Sequence, residues 1–176
     1  MASRVPLPEH RTFGDDMGLL DPTATASMIR KAQKRGKHIQ FAALPYRIHK
    51  GKAEVLLITS RGTRQWLLPK GWPMADLKPH KAAAQEAWEE AGILGRARKH
   101  CLGTYRYRKT RGPKRGQTIR VLVYPLEVDK LARIYPETGQ RDRKWLRPKK
   151  AAKRIAHPEL AKLVRSFDPA TISAKG

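Results

Sequence analysis

The sequence predicts a single α/β domain preceded by a basic N-terminal arm, and three observations carry that expectation. Strand-rich runs stand at 39–48, 53–59 and 119–128, and in the last Ile119, Val121 and Val123 alternate with Leu122, Tyr124 and Leu126. Between them a stretch dense in Ala and Glu opens at Pro79 and closes at Gly92, the punctuation of a helix. No internal repeat, low-complexity tract or second-domain boundary interrupts the chain, and 176 residues suffice for one full core. The expected division is a basic arm with a short helix over 1–37, the folded domain over 38–167, and a C-terminal tail over 168–176.

The charge balance is extreme. Lys and Arg number 38 against 15 Asp and Glu, a formal net charge of +23. A balance of this kind points to a polyanionic ligand, such as a polyphosphate or a nucleic acid, or to a merely basic surface. Cys101 is the lone cysteine, so an intrachain disulfide is impossible and a metal–thiolate cluster is disfavoured. Its place in an expected strand reads as a buried, inert thiol. No apolar run approaches the ~20 residues of a membrane span, and the N-terminus lacks a secretory apolar segment. A cytoplasmic protein with no membrane partner is expected.

Taken in order, residues 1–20 read as a loosely held arm. Asp21-Pro22-Thr23 is a helix start, and Ala24 to Lys34 a short helix ended by Gly36. Arg30, Lys31, Lys34, Arg35 and Lys37 gather at its end, where cations suit the helix dipole and form either a solvated end or a phosphate-binding arm. Ile39 to Ile48 and Ala53 to Thr59 form a hairpin about the turn 49–52, with Pro45 marking a bulge or an edge. Ser60 to Arg64 is a polar loop. Trp66-Leu67-Leu68 is a short strand that delivers Pro69-Lys70-Gly71 to the helix. In the compact loop that follows, Trp72 reads as core cover rather than a stacking surface.

Past Gly92, Cys101 to Tyr107 and Ile119 to Val128 are strands joined by a long tip. The tip carries six cations, Arg106, Arg108, Lys109, Arg111, Lys114 and Arg115, around the turn signals Gly112-Pro113 and Gly116. Trp145-Leu146 precedes Pro148 and two helical stretches, 149–156 and 158–167. Lys149, Lys150, Lys153 and Arg154 make a further basic surface.

The chemistry concentrates on the central helix. Glu86, Glu89 and Glu90 stand at i, i+3 and i+4 and share one face. Three adjacent carboxylates repel one another unless a cation sits on them, and their oxygens suit hard ions such as Mg²⁺ or Mn²⁺. The competing reading is a solvated acidic face. Ala84, Ala87, Trp88 and Ala91 fall opposite and are expected to pack on a sheet. Ala82 and Ala83 are expected on the carboxylate face, leaving room for metal and substrate.

The stretch from Gly71 to Ile93 resembles the Nudix box: Gly, five residues, Glu, seven residues, then Arg-Glu-apolar-x-Glu-Glu-x-Gly-apolar. Gly71, Glu86, Ala87, Glu89, Glu90, Gly92 and Ile93 match, and Leu-Pro-Lys-Gly is common before such boxes. Two positions depart: Leu77 stands where the first Glu belongs, and Gln85 where the Arg belongs. In the family that Arg orients a catalytic glutamate, and Gln85 is able to hold the same carboxylate by a hydrogen bond without a charge.

The resemblance implies an α/β/α sandwich with a mixed sheet and a metal-dependent hydrolase of diphosphates. It implies Glu86, Glu89 and Glu90 as metal ligands, with Glu89 or Glu90 serving instead as the base. A main-chain carbonyl of Lys70 or Gly71 would join them, with the Lys70 side chain as a phosphate clamp. Glu137 and Glu127 are candidates for a glutamate outside the box. Arg106, Arg108, Lys109 and Arg111 are expected to bind a highly phosphorylated small molecule. The box looks most like that of the diphosphoinositol polyphosphate phosphohydrolase group, and dinucleoside polyphosphates fit as well. The alternatives are an RNA 5′-end pyrophosphohydrolase, or a non-catalytic regulator on the same scaffold that binds nucleic acid. Retention of all three helix glutamates favours the enzyme.

Overall fold

The computed structural model describes residues 19–173. Residues 1–18, about half of the expected 1–37 arm, and 174–176, the end of the expected tail, lie outside them. Helix α1 (Pro22–Lys34) starts on Asp21, whose carboxylate accepts from the N–H groups of Thr23 and Ala24. That is an N-cap placed where the Asp-Pro-Thr signal put it. Then follow β1 (His38–His49), β2 (Lys52–Thr59), β3 (Trp66–Leu67), β4 (Lys70–Gly71) and α2 (Pro79–Ala91). After these come β5 (Ile93–Ala97), β6 (Gly103–Arg108), β7 (Thr118–Leu131) and β8 (Arg143–Leu146). Helices α3 (Pro148–Arg154), α4 (Pro158–Arg165) and α5 (Ala170–Ser173) close the described chain.

The strands form one mixed sheet ordered β3-β2-β1-β7-β5, with β4 on β1, β6 on β7 and β8 on β2. Strands β1 and β7 pair in parallel from His38 opposite Ile119 to Tyr46 opposite Glu127. The other pairings are antiparallel. The period-two pattern of β7 decides the layers. Ile119, Val121 and Val123 join Leu160, Leu163 and Val164 on one face. Leu122, Tyr124 and Leu126 join Ala83, Ala87 and Ala91 on the other. The sheet is thus buried on both sides, an α/β/α sandwich.

Four expectations change. Pro45 is neither at an edge nor in a bulge; it is buried within central β1. It sits where one side of β1 switches partner, between Ala43, whose N–H donates to Pro69 O at 3.0 Å, and Tyr46, which pairs with Val55. No partner is needed at that point, so a residue without an N–H is tolerated. Ala82 and Ala83 are fully buried against the sheet with Ala87 and Ala91, whereas Ala84 and Trp88 are only half-buried. The buried stripe is therefore rotated from the expected one, because small Ala side chains let the helix lie close to the strands. Cys101 is fully buried but precedes β6, held in an isolated bridge to Leu20. Of the expected tail 168–176, the described part to Ser173 includes α5, whose Ile172 is buried in the core.

The outer edge of β6 is covered by α4. Glu159 accepts from the Arg106 N–H at 2.9 Å, and His157 Nε2 lies 2.7 Å from Arg106 O. An otherwise open strand edge is closed in this way.

Candidate active site

Two glycines seat helix α2. Gly92 ends it in the left-handed region, φ +64°, with the Tyr135 ring where a Cβ would stand. Gly71 meets it from β4: the Glu86 carboxylate lies against the Gly71 α-carbon, and any Cβ there would collide with it. The box glycine is needed because carboxylate and backbone share that space.

Burial raises the Glu86 carboxyl above its ordinary pKa, and the charges of Glu89 and Glu137 raise it further. Burial likewise pushes Glu90 up to about 7, although Arg141 and Lys70 pull the other way. Glu90 accepts from the Lys70 backbone N–H at 3.3 Å and from Arg141 Nη2 at 3.1 Å. Arg141 also donates through Nε to Glu137 at 2.8 Å and through Nη1 to Thr59 O at 3.2 Å. The Glu137 N–H donates to Glu89 O at 3.0 Å. Gln85 Nε2 donates to Glu89 Oε1 at 2.7 Å, so Gln85 does hold that carboxylate without a charge.

Of the two outside candidates, Glu137 is at the site. Glu127 is not; it pairs with Arg96 and Arg98 at 3.3 and 3.1 Å. Arg141 escaped the sequence reading. It stands in a polar run, and only the fold brings it onto α2. Leu77, at the departing box position, is exposed.

Opposite the carboxylates stand cations on aromatic rings. The Lys70 ammonium lies 5.1 Å from the centre of Tyr107, and burial pushes its pKa down. The Tyr107 hydroxyl donates to buried Gln40 at 2.7 Å, which fixes the ring. Lys109 and Lys114 lie over Trp72, at 5.3 and 5.2 Å. Trp72 packs on the core, as expected, and carries these ammoniums as well.

The cationic tip therefore does not act as one cluster. Lys109 reaches the box entrance together with Lys114, which was not among the four expected substrate ligands. Arg108 Nε donates to Gly116 O at 3.1 Å and braces the turn. Arg111 lies beside Gly62 in the 60–64 loop. Arg106 points into a separate cavity beside α1, because it alternates with Tyr107 along β6.

The donor chemistry of Glu86, Glu89 and Glu90 fits a hard divalent cation: all oxygen and partly buried, with the Glu86 and Glu90 carboxyls raised in pKa by burial. Among the described residues no three acidic, His or Cys side chains stand close enough together to hold an ion as they are. Glu89 is engaged by Gln85, and Glu90 by Arg141 and the Lys70 N–H.

An acidic helix facing a Lys-Gly entrance on a mixed sheet belongs here to a hydrolase of phosphorus-containing anhydrides, the class shown by its family. The NUDIX domain matches residues 36–167, and the chain belongs to that family. Family members generally use divalent metal ions. The chain is 26% identical over 148 residues to Nudix hydrolase 13, mitochondrial, of Arabidopsis thaliana, covering 81% of this chain and 69% of that one. It is 31% identical over 140 residues to Nudix hydrolase 21, chloroplastic, of the same plant, covering 71% and 68%. Among solved structures it resembles a C. elegans Ap4A hydrolase binary complex, with TM-score 0.56, 23% identity, and 78% and 96% of the two chains covered. It also resembles the NUDIX domain of Shewanella oneidensis NrtR complexed with ADP ribose, with TM-score 0.54, 16% identity, and 80% and 96% covered. These two likenesses are of fold. No helix among the described residues is long and apolar enough to cross a membrane.

Proposed function

We propose that this chain is a Mg²⁺- or Mn²⁺-dependent pyrophosphohydrolase cleaving a diphosphate linkage in a highly phosphorylated small molecule, a diphosphoinositol polyphosphate or a dinucleoside polyphosphate. The observation that carries the reading is the opposition of two charge sets across the box entrance. Glu86, Glu89 and Glu90 stand on one side, and Lys70, Lys109 and Lys114 on the other. A ligand bearing several phosphates satisfies the cations and brings its anhydride to the carboxylates. The Lys109 and Lys114 ammoniums would turn from Trp72, and Lys114 from His38, onto phosphate oxygens, whereas Lys70 is more deeply buried.

Glu86, Glu89 and Glu90 would hold the metal, joined by a main-chain carbonyl of Lys70 or Gly71. When bound, the metal offsets charge on the phosphate oxygens as water attacks. Gln85 orients Glu89, and Arg141 orients Glu90. Glu89 or Glu90 would take the proton of the attacking water.

The test is a hydrolysis panel with Mg²⁺, with Mn²⁺ and with a chelator, read by anion-exchange separation of the products. It holds a diphosphoinositol polyphosphate, diadenosine polyphosphates, nucleoside triphosphates and a 5′-triphosphate RNA. Metal-dependent turnover of one of the first two classes, lost by orders of magnitude in Glu89→Gln or Glu90→Gln, is expected. Turnover confined to RNA ends would replace the small-molecule reading, and silence from folded protein would leave a binding module.

A further inference from the structure

A second cavity lies away from the box entrance. A cleft of about 900 Å³ lies between α1 and the β6–β7 hairpin. Its walls carry Lys31, Arg35 and Lys37 from the end of α1, and Arg106 and Arg120 from the hairpin. No carboxylate lines it, and none of these five side chains makes an ion pair among the described residues. The lysines on α1 have a local reason to be there, since cations suit a helix C-terminus. The two arginines have none. Arg106 and Arg120 stand directly opposite each other in paired strands, an arrangement of like charges that destabilises a sheet. Glu159 takes only the backbone N–H of Arg106. An anion in the cleft would relieve that pair.

The floor chooses among anions. Ala24, Met28 and Ala32 of α1 supply an apolar strip between the two cationic walls. A compact polyphosphate has no apolar face to place there, whereas a nucleotide chain alternates phosphates with flat, weakly polar bases. The cleft also continues. His38 lines its end, lies 3.1 Å from the Lys114 ammonium, and meets the Trp72 ring edge-on at 6.2 Å. A strand leaving the cleft therefore meets a further cation, the Lys114 ammonium.

We propose that this cleft binds single-stranded nucleic acid through its phosphate backbone, with bases on the α1 strip. The proposal goes beyond the hydrolysis assigned to α2 and does not depend on it, because binding is read with metal removed.

The full chain, in chelator, is titrated against a fluorescein-labelled oligouridylate about twelve nucleotides long, with anisotropy as the readout. The variant K31Q/R35Q/R106Q is compared with K149Q/K150Q/K153Q, which loses the same charge from exposed positions on α3. The cleft variant should bind about tenfold more weakly or worse, and its slope of log affinity on log salt should fall by about 2. The α3 variant should lose less than about twofold. Equal losses in the two would reduce the effect to the diffuse net charge and overturn the proposal. So would equal affinity for a duplex of the same length, or tighter binding of inositol hexakisphosphate than of the oligonucleotide. A second measurement needs no variant: a 4-thiouridine oligonucleotide irradiated with the unaltered protein should crosslink within residues 24–38. Crosslinks confined to α3 would sink the idea.

Discussion

The guanidinium of Arg141 lies 3.1 Å from the carboxylate of Glu90, and the two side chains are only 7% and 12% exposed. A charge pair at that depth is asymmetric in its energetics. The intact pair adds little over an apolar replacement, whereas removing one partner strands the other in a poor solvent. Arg141→Gln should therefore destabilise the fold by about 3 kcal/mol. Urea unfolding checks this, and the double variant R141Q/E90Q should recover at least about 1 kcal/mol of the sum of the single losses. Strict additivity would mean that the two groups act separately.

Glu90 also makes stability depend on pH. Its unfolded carboxyl titrates at the model value of 4.5 and its folded one at about 7. Between these values the folded state binds more protons, so stability is full below about 4.5 and falls as pH rises through about 7. The shift corresponds to about 3 kcal/mol. In chelator-treated protein, the contribution of Glu90 should appear as a melting temperature that falls across this window. Glu90→Gln should flatten the fall, and an unchanged profile in that variant would assign the dependence elsewhere.

Gly71→Ala places a methyl group where the Glu86 carboxylate lies. The carboxylate must turn away from the box entrance, and a misplaced catalytic group costs on the order of 100-fold in rate. Turnover should drop by about that factor while the circular dichroism spectrum stays native. If turnover holds near normal, Glu86 does not work from the position seen here.

Neutralising the two ammoniums over Trp72 should act on binding rather than on chemistry. Lys109→Ala/Lys114→Ala is expected to raise KM about tenfold for the most phosphorylated substrate, with kcat changed less than about twofold. Arg108→Ala/Arg111→Ala should shift KM far less, since these side chains engage the turn and the 60–64 loop. The reverse ranking would return the site to the whole tip.

Much of this molecule is legible in its sequence. The alternation in β7 fixes both faces of the sheet, and Pro79 and Gly92 bracket α2 to the residue. The three glutamates share α2 as their spacing implies, but Glu86 meets Gly71, Glu90 meets the Lys70 N–H and Glu89 turns to Gln85. Residues whose role depends on tertiary register were hidden. Nothing local separates Arg141 from Arg143, yet the first reaches Glu90 and the second donates to Ala91 O. Strand β8 went unread because four residues, Arg143–Leu146, carry too short a pattern. The tip was read as a unit because charge can be counted along a chain, whereas direction in a strand alternates.

The parallel pairing of β1 with β7 has a consequence for how the molecule comes into being. A ribosome releases His38–Tyr46 long before Ile119–Glu127, the partners of those residues. In the interval, β1 has the β2 hairpin on one side and a bare, strongly apolar edge on the other. Closing so long a loop before any reward is gained makes folding slow and leaves that edge open to wrong partners. The birth of the protein is thus a race between completing β7 and sticking to a neighbour, one in which the strong positive charge, by keeping nascent chains apart, works on the side of the native state.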